Sequence, residues 1–393
     1  MEPRQPVAAP EAAPTEALLA RTSRPWVHVL LFVLTFLSVT YAGIGWVGRD
    51  LVHGANWWGY VQDSLHFTIP FLLFLTAHEF GHYLAARRHG VRTTLPYYIP
   101  MPFISPIGTL GAVIRIQEKV PDSRKLFDIG IAGPLAGFVV SLATLLYGFL
   151  TLPPPTYMLQ FGGHAELHAH LLQYGTFAGY EPSGNPLRIG STPLYWLLSQ
   201  LSEHTPPMYE MYHYPYLLAG WLGLFFTALN LLPIGQLDGG HIAYALLGPR
   251  WHGQLARFAV LLLLYLGGVG LIRELGPVLY ESHSWGVLWT WLLWILIAAY
   301  FVYRLYGPDW GRALPVLIVL LVCTQLADWI PQLAAWGYSG WLLWVVLLIA
   351  IIRIDHPPVL YFVPLDFRRR ALGWLGFVLF VLCFSPTPFN VAF

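Results

Sequence analysis

Two histidines and a glutamate lie inside the apolar stretch FTIPFLLFLTAHEFGHYLAA, at His78, Glu79 and His82. His78 and His82 are four positions apart, so on a helix both imidazoles project from one face and can bind a single Zn²⁺ ion. Glu79 beside them suits a general base that takes a proton from water. Ionisable groups at membrane depth usually mark a functional site. The alternative is a helix whose histidines only hydrogen-bond to neighbouring helices, which leaves a glutamate in hydrocarbon unexplained.

A further carboxylate follows a break in a later apolar run. The run from 214 to 247 is too long for one untilted span, and a proline and three glycines interrupt it within NLLPIGQLDGGH, residues 230–241. Asp238 comes directly after this break. Because a catalytic zinc site keeps three protein ligands and one open position, Asp238 is the candidate third ligand. A plain proline kink is the alternative, but it leaves the carboxylate without a partner.

The composition excludes an ordinary soluble protein. Of 393 residues, 56% are hydrophobic and only 10% are charged, whereas soluble proteins carry about 25% charged residues. We predict an all-α polytopic membrane protein with about eight to nine transmembrane helices. The net charge of +1 gives no support for nucleic-acid binding.

Lysine and arginine are distributed unevenly between the loops that these spans create. With the N-terminus in the cytoplasm, 18 of the 21 basic residues lie on the cytoplasmic side, and Arg49, Arg188 and Arg273 lie outside. This asymmetry follows the positive-inside rule. It predicts a multi-pass integral protein, which we place in a bacterial inner membrane, with the histidine motif nearer to the cytoplasmic surface.

Together these stretches resemble the site-2 protease family of intramembrane zinc metalloproteases, over residues 65–250. The family pattern is H-E-x-x-H on one span, followed by N-x-x-P-x-x-x-L-D-G on a later one. The fixed positions of the second pattern are all matched, by Asn230, Pro233, Leu237, Asp238 and Gly239. The resemblance implies that His78, His82 and Asp238 bind one Zn²⁺ per chain. It further implies that Glu79 is the general base and that the substrate is a transmembrane helix of another membrane protein, cleaved within the lipid bilayer.

A hairpin or re-entrant element is expected near residues 104–118. The stretch PIGTLGAVIRIQ, residues 106–117, resembles the element that follows the active-site helix in this family. Its glycines, Gly108 and Gly111, and its β-branched residues suit short extended strands, so both glycines are candidates for substrate binding. An exposed strand edge there can pair with an unwound substrate. A simple amphipathic connector is the alternative.

Small residues dominate GIAGPLAGF, residues 130–138, which resembles the family's next span and permits close helix approach. Some members carry an asparagine here that is proposed to stabilise the oxyanion, but this chain has Gly137 near that position. Asn230 can serve instead, although capping the broken helix is an equally good reading. His241 either orients the carboxylate of Asp238 or hydrogen-bonds to another neighbour.

The chain divides into three parts by pattern. Residues 1–25 predict a disordered cytoplasmic tail. Residues 26–250 predict a catalytic membrane core that includes an outer loop at 151–213, too short and of the wrong composition for the PDZ domain that some relatives insert. Residues 251–393 predict additional C-terminal transmembrane helices.

Two stretches carry chemistry without an assigned role. In the outer loop, His164, His168 and His170 can bind a metal, although solvated loop histidines are the favoured reading. The stretch IDHPPVLYFVPLD, residues 354–366, resembles a segment that follows the core spans in some bacterial and plastid members. A rigid loop is the default interpretation of its Asp355–Pro358 portion.

Two other functions compete with the intramembrane protease. A zinc protease of the prenyl-protein-processing type also carries H-E-x-x-H in a membrane, but it usually draws its third ligand from a later glutamate. A polytopic metal-binding transporter or scaffold is the non-protease alternative. A transporter predicts paired broken helices in the two halves of the chain, and the sequence suggests only one such break.

Overall fold

The computed structural model describes residues 24–47, 57–184, 186–282, 285–352 and 354–391. The tail predicted to be disordered lies outside the described residues, except for its last two. In chain order the helices are α1 (Pro25–Val47), α2 (Trp57–Arg88), α3 (Ser123–Leu150), α4 (Ala165–Tyr174), α5 (Pro193–Ser199), α6 (Pro215–Asn230), α7 (Asp238–Leu247), α8 (Pro249–Ser282), α9 (Gly286–Tyr306), α10 (Trp310–Trp329), α11 (Pro331–Ala334), α12 (Gly340–Leu347) and α13 (Phe367–Cys383). The strands are β1 (Tyr97–Pro100), β2 (Thr109–Val113), β3 (Leu187–Ile189) and β4 (Phe389–Val391), with 3₁₀ turns at Pro155–Gln160 and Met211–His213 and a π-helical turn at Leu348–Ile352.

Within the described ranges, five helices are long and apolar enough to cross a membrane. They are Pro25–Val47, Ser123–Leu150, Pro249–Glu281, Gly286–Tyr306 and Trp310–Ala327. Helix α2 is not among them, because the polar residues of its motif lower its hydropathy. The chain is therefore a polytopic membrane protein built from helices, as the composition predicts. The total of eight to nine spans stays a prediction.

Helices α2 and α3 pack side by side through small residues. Helix α3 begins after Asp122, whose carboxylate accepts a hydrogen bond from the Lys125 amide at 2.9 Å. A Cβ at Gly81 would lie 2.5 Å from the carbonyl oxygen of Ala132, and a Cβ at Gly137 would lie 2.8 Å from the Phe74 ring. The backbones can approach this closely only because both positions lack a side chain. This confirms the close helix approach predicted from GIAGPLAGF.

A two-stranded antiparallel hairpin follows α2, formed by β1 and β2. Its first strand begins at Tyr97, upstream of the predicted boundary at 104. Helix α1 holds the turn of the hairpin: Ser38 Oγ donates to the carbonyl of Gly108 at 2.5 Å, and Trp46 Nε1 donates to the carbonyl of Pro106 at 2.7 Å. Gly108 has φ of +78° and lies against the Ser38 backbone, where a side chain would overlap it.

The apolar run from 214 to 247 forms two helices, because residues 231–237 leave the helical path between α6 and α7. Gly235 has φ of +52°, and its amide donates to the carbonyl of Ile354 at 3.0 Å instead of continuing a helix. A Cβ at Gly240 would overlap the Gly235 carbonyl. The glycines therefore permit a tight reversal that sets Asp238 at the start of α7.

A second two-stranded sheet pairs β3, from the predicted outer loop, with β4 near the C-terminus. Beside it, the indole Nε1 of Trp221 on α6 donates to the carbonyl of Gly190 at 2.9 Å. The sheet and this hydrogen bond together attach the outer loop to α6 and to the segment that follows α13.

Candidate metal centre and active site

Three side chains from two helices meet at one point. His78 and His82 lie one turn apart on α2, and Asp238 is the first residue of α7. The two Nε2 atoms are 3.1 Å apart. Asp238 Oδ2 lies 3.3 Å from His78 Nε2 and 3.2 Å from His82 Nε2. The side chains are only 6%, 8% and 15% exposed, so the structure brings the three candidate ligands together away from solvent.

These three atoms fit a zinc ion. At Zn–N and Zn–O distances of about 2.0–2.1 Å, the ligand atoms of a tetrahedral site are separated by about 3.3 Å, close to the separations observed here. His82 Nδ1 lies 2.7 Å from the carbonyl oxygen of Ile129. A carbonyl only accepts, so Nδ1 carries the proton and the lone pair of Nε2 is left for a metal. The donor set and the fixed ring orientation therefore both suit Zn²⁺.

Glu79 faces the same space as the three ligands. Its side chain is buried, with the residue 7% exposed, and it lines one cavity together with Ile114, just beyond β2. The hairpin thus lies beside the carboxylate of Glu79 and the candidate metal ligands. This position suits a group that exchanges protons with a water or an amine at the metal.

A cavity of about 370 Å³ opens onto these residues. Its remaining lining comes from α2, the hairpin, α3, α6, the break before α7, His241 on α7 and Trp344 on α12. Strand β2 pairs with β1 along one edge only, within the part of the chain that the structure describes. Residues 110–114 line the cavity, and Leu110 is 61% exposed. The hairpin therefore presents extended backbone directly beside the candidate ligands.

Comparison with protein-family models matches residues 66–272 to Peptidase family M50. The chain belongs to peptidase family M50. The matched range contains both the H-E-x-x-H motif and the segment that ends in Asp238. The resemblance to site-2 proteases drawn from these motifs is thereby confirmed.

Plant proteins are among the relatives of this M50 chain. It is 30% identical over 203 residues to "Probable zinc metalloprotease EGY2, chloroplastic" of Oryza sativa subsp. indica, covering 52% of this chain and 33% of that protein. It is 31% identical over 229 residues to "Probable zinc metalloprotease EGY1, chloroplastic" of Oryza sativa subsp. japonica, covering 58% and 34%. The protein of the same name from Arabidopsis thaliana is 28% identical over 278 residues, covering 69% and 44%. The chain thus spans less than half the length of these relatives, and no solved structure matches it.

The other candidate residues of the M50 chain lie in different surroundings. Gly111 has φ of +102° and lines the cavity, whereas Gly108 packs on α1 and is not among the lining residues. Asn230 ends α6 and lines the cavity. A Cβ at Gly137 would lie 3.3 Å from His78 Cβ, so that position contacts the first metal-ligand candidate without offering a polar group.

A residue that the sequence left without a role lies against His241. The Nδ1 atom of His241 and the Nε2 atom of His356 are 2.7 Å apart, a hydrogen-bonding distance. The side chain of His241 therefore bonds to this neighbour, which is the second of the two roles that the sequence allows for it; orientation of Asp238 is the first. His356 belongs to residues 354–366, whose backbone also accepts the amide of Gly235. Local sequence gives no signal for this contact, because the two histidines are 115 positions apart.

Gly133 on α3 gives the site its tightest helix contact. A Cβ at this position would overlap the imidazole ring of His82. We expect Gly133→Ala to displace His82, to lower zinc occupancy and to reduce peptide cleavage by about 10²-fold, the cost of misplacing a reacting group by about 1 Å. Metal analysis and cleavage of a membrane-embedded reporter measure both effects.

Gly45→Ala is the matched control for this substitution. Gly45 is also helical, but a Cβ there meets nothing within 4 Å. Alanine at Gly45 should leave zinc content and cleavage unchanged. Full activity of the Gly133→Ala variant would show that α3 does not constrain the ring of His82.

Proposed function

We propose that this chain is a zinc-dependent intramembrane endopeptidase. The observation that carries the proposal is the position of Asp238 Oδ2, within 3.3 Å of both His78 Nε2 and His82 Nε2. Membership of peptidase family M50 and the zinc metalloprotease names of the relatives support the same function. A third ligand supplied by the aspartate of an L-D-G sequence, Asp238, favours this class over the prenyl-protein-processing type.

In the proposed reaction, three residues bind the metal and a fourth transfers protons. When bound by His78, His82 and Asp238, zinc supplies a Lewis acid and lowers the pKa of water. Glu79 takes the proton from the attacking water and later donates it to the leaving amine. Ile114 lines the cavity together with Glu79 and the candidate metal ligands of α2 and α7.

The hairpin offers a means of presenting the substrate. A helical peptide hides its carbonyl groups in its own hydrogen bonds, so a transmembrane substrate must unwind before it can be cleaved. An unwound segment can pair with the free edge of β2 by strand addition, which brings its backbone next to Glu79 and the metal ligands. We therefore propose that the substrate is a transmembrane segment of a membrane protein that becomes extended along residues 109–113.

The proposed arrangement in the membrane follows the basic residues. Eighteen of 21 lie on one side if the N-terminus is cytoplasmic, and the active site then lies closer to that side. Placement in a bacterial inner membrane remains a proposal that the chloroplastic names of the relatives do not support. We also propose, from the sequence pattern, that residues 26–250 form a catalytic core and that residues 251–393 form additional transmembrane helices.

Metal removal tests the proposed function. The full chain, reconstituted in liposomes with a fluorescent transmembrane peptide, should cleave that peptide. 1,10-Phenanthroline should abolish cleavage because the ligand set leaves the ion accessible from the cavity, and added Zn²⁺ should restore it. Mg²⁺ added at the same concentration serves as the control, since two imidazoles and a carboxylate do not suit it. Cleavage that persists after the metal has been removed would contradict the proposal.

A further inference from the structure

A second buried cluster lies in the predicted outer loop. It consists of His164, Glu210 and His213. His164 Nε2 lies 3.2 Å from His213 Nε2, and His164 Nδ1 lies 3.3 Å from Glu210 Oε1. Glu210 Oε2 lies 3.7 Å from His213 Nε2. Two imidazoles and a carboxylate thus converge, although nothing in the local spacing of the sequence joins His164 to the other two.

One oxygen of the carboxylate in this cluster is buried without a hydrogen-bond partner among the described residues. Glu210 is only 4% exposed, and its Oε2 atom has no hydrogen-bond partner among the described residues. Its recorded ionic contacts are with His164 and His213, and no lysine or arginine of the described ranges pairs with it. A buried carboxylate is costly unless a cation or several hydrogen-bond donors compensate it. A bound cation would supply that compensation.

The histidines are suited to the same cation. Their side chains are 20% and 11% exposed, for His164 and His213 respectively. Imidazole nitrogens are the commonest metal ligands in proteins. Phe161 and Tyr212 cover the His213 ring, with ring centroids 4.3 and 4.4 Å away, and thereby restrict its rotation.

We propose that His164, Glu210 and His213 bind a second divalent transition-metal ion, of which Zn²⁺ is the best fit. Two histidines and a glutamate form a recognised zinc ligand set that leaves one position for water. The ion would connect the segment before α4 to the turn Met211–His213, which leads directly into α6. It would therefore fix the two ends of the outer loop to each other and to the membrane helices.

This site is separate from the catalytic centre. Helix α6 begins two residues after His213 and ends at Asn230, on the wall of the catalytic cavity. The 16 residues of α6 span 15 steps of 1.5 Å, which places its two ends about 22 Å apart. The two clusters can therefore be emptied independently.

Zinc content per chain, measured on the purified full-length protein, tests the proposal. The wild type should hold two ions, and the double variant His78→Ala/His82→Ala should retain one. Adding His164→Ala and His213→Ala to that double variant should remove the remaining ion. His170→Ala is the matched control, because His170 lies in the same loop but its ring bonds to the carbonyl of Ala178. In the His78→Ala/His82→Ala background it should keep one ion.

The outcomes distinguish this proposal from the proposed protease function. A wild type with one zinc that is lost in His78→Ala/His82→Ala overturns the outer site and leaves the catalytic site intact. A wild type with one zinc that persists in that variant supports the outer site and contradicts the catalytic one. Glu210→Gln keeps the size and shape of the buried side chain and removes only its charge, so it tests the site in a variant that should still fold. In the His78→Ala/His82→Ala background it should weaken Zn²⁺ binding at least tenfold and remove the rise in Tm on adding Zn²⁺, with an unchanged Tm in chelator; unchanged binding would overturn the proposal.

Discussion

Replacement of Glu79 by glutamine is expected to abolish peptide cleavage while zinc content stays at the wild-type value. Glutamine keeps the size of the buried side chain but cannot take a proton from water. Positioned acid–base groups contribute about 10²–10⁴-fold to rate, so cleavage should fall by at least that amount. Glu79 is not one of the three converging side chains, so the metal should remain bound. Cleavage of a membrane-embedded reporter and metal analysis of the same preparation provide the two measurements.

Glu281→Gln is the matched control for this experiment. Glu281 is exposed near the end of α8, and the same chemical change there should have no effect on cleavage. Unchanged cleavage by the Glu79→Gln variant would exclude Glu79 as the base. Loss of zinc from that variant would instead place Glu79 among the metal ligands.

Substitution of Asp238 by alanine should remove one zinc ion per chain and all detectable cleavage. Asp238 Oδ2 lies within 3.3 Å of both imidazole Nε2 atoms, and no other carboxylate groups with His78 and His82 as a metal-ligand set among the described residues. With two ligands left, the site should no longer retain zinc during purification. Metal content and reporter cleavage report the result together.

Asp309→Ala controls for the loss of a carboxylate elsewhere. Asp309 is 50% exposed and pairs with Arg312 at the surface, so its removal should leave metal and activity unchanged. If Asp238→Ala kept full zinc occupancy, the two histidines would have to bind the ion with some other group. If it impaired transport of an ion while no variant affected proteolysis, the transporter alternative would gain support.

The sequence alone was sufficient for the helical parts of the catalytic site. The four-residue spacing of His78 and His82 fixes their relative position once α2 is a helix. The proline and glycines before Asp238 predicted a broken run, and the positive φ of Gly235 is the conformation that such a break requires. Sequence spacing is sufficient in both cases because each inference concerns residues that are close together in the chain, within one helical turn or within the break between α6 and α7.

Contacts between distant segments could not be predicted in this way. Ile114 lies beside Glu79 in one cavity because the hairpin folds over α2, and the pairing of His241 with His356 depends on where the segment after α12 meets α7. The sequence favours solvated loop histidines, yet His164 contacts Glu210, 46 positions away. Side-chain burial of this kind is set by packing, for which residue spacing carries no information.

The hydrogen bonds made by Ile354 and His356 determine how far a truncated form of this chain must extend to keep the candidate site. Gly235 and His241, which flank Asp238, hydrogen-bond to Ile354 and His356, whereas the family match ends at residue 272. A polypeptide cut to the family boundaries would leave the reversal before Asp238 without these supports. The shortest fragment of this chain that keeps the candidate site intact should therefore extend beyond His356, because Ile354 and His356 help to set the position of Asp238.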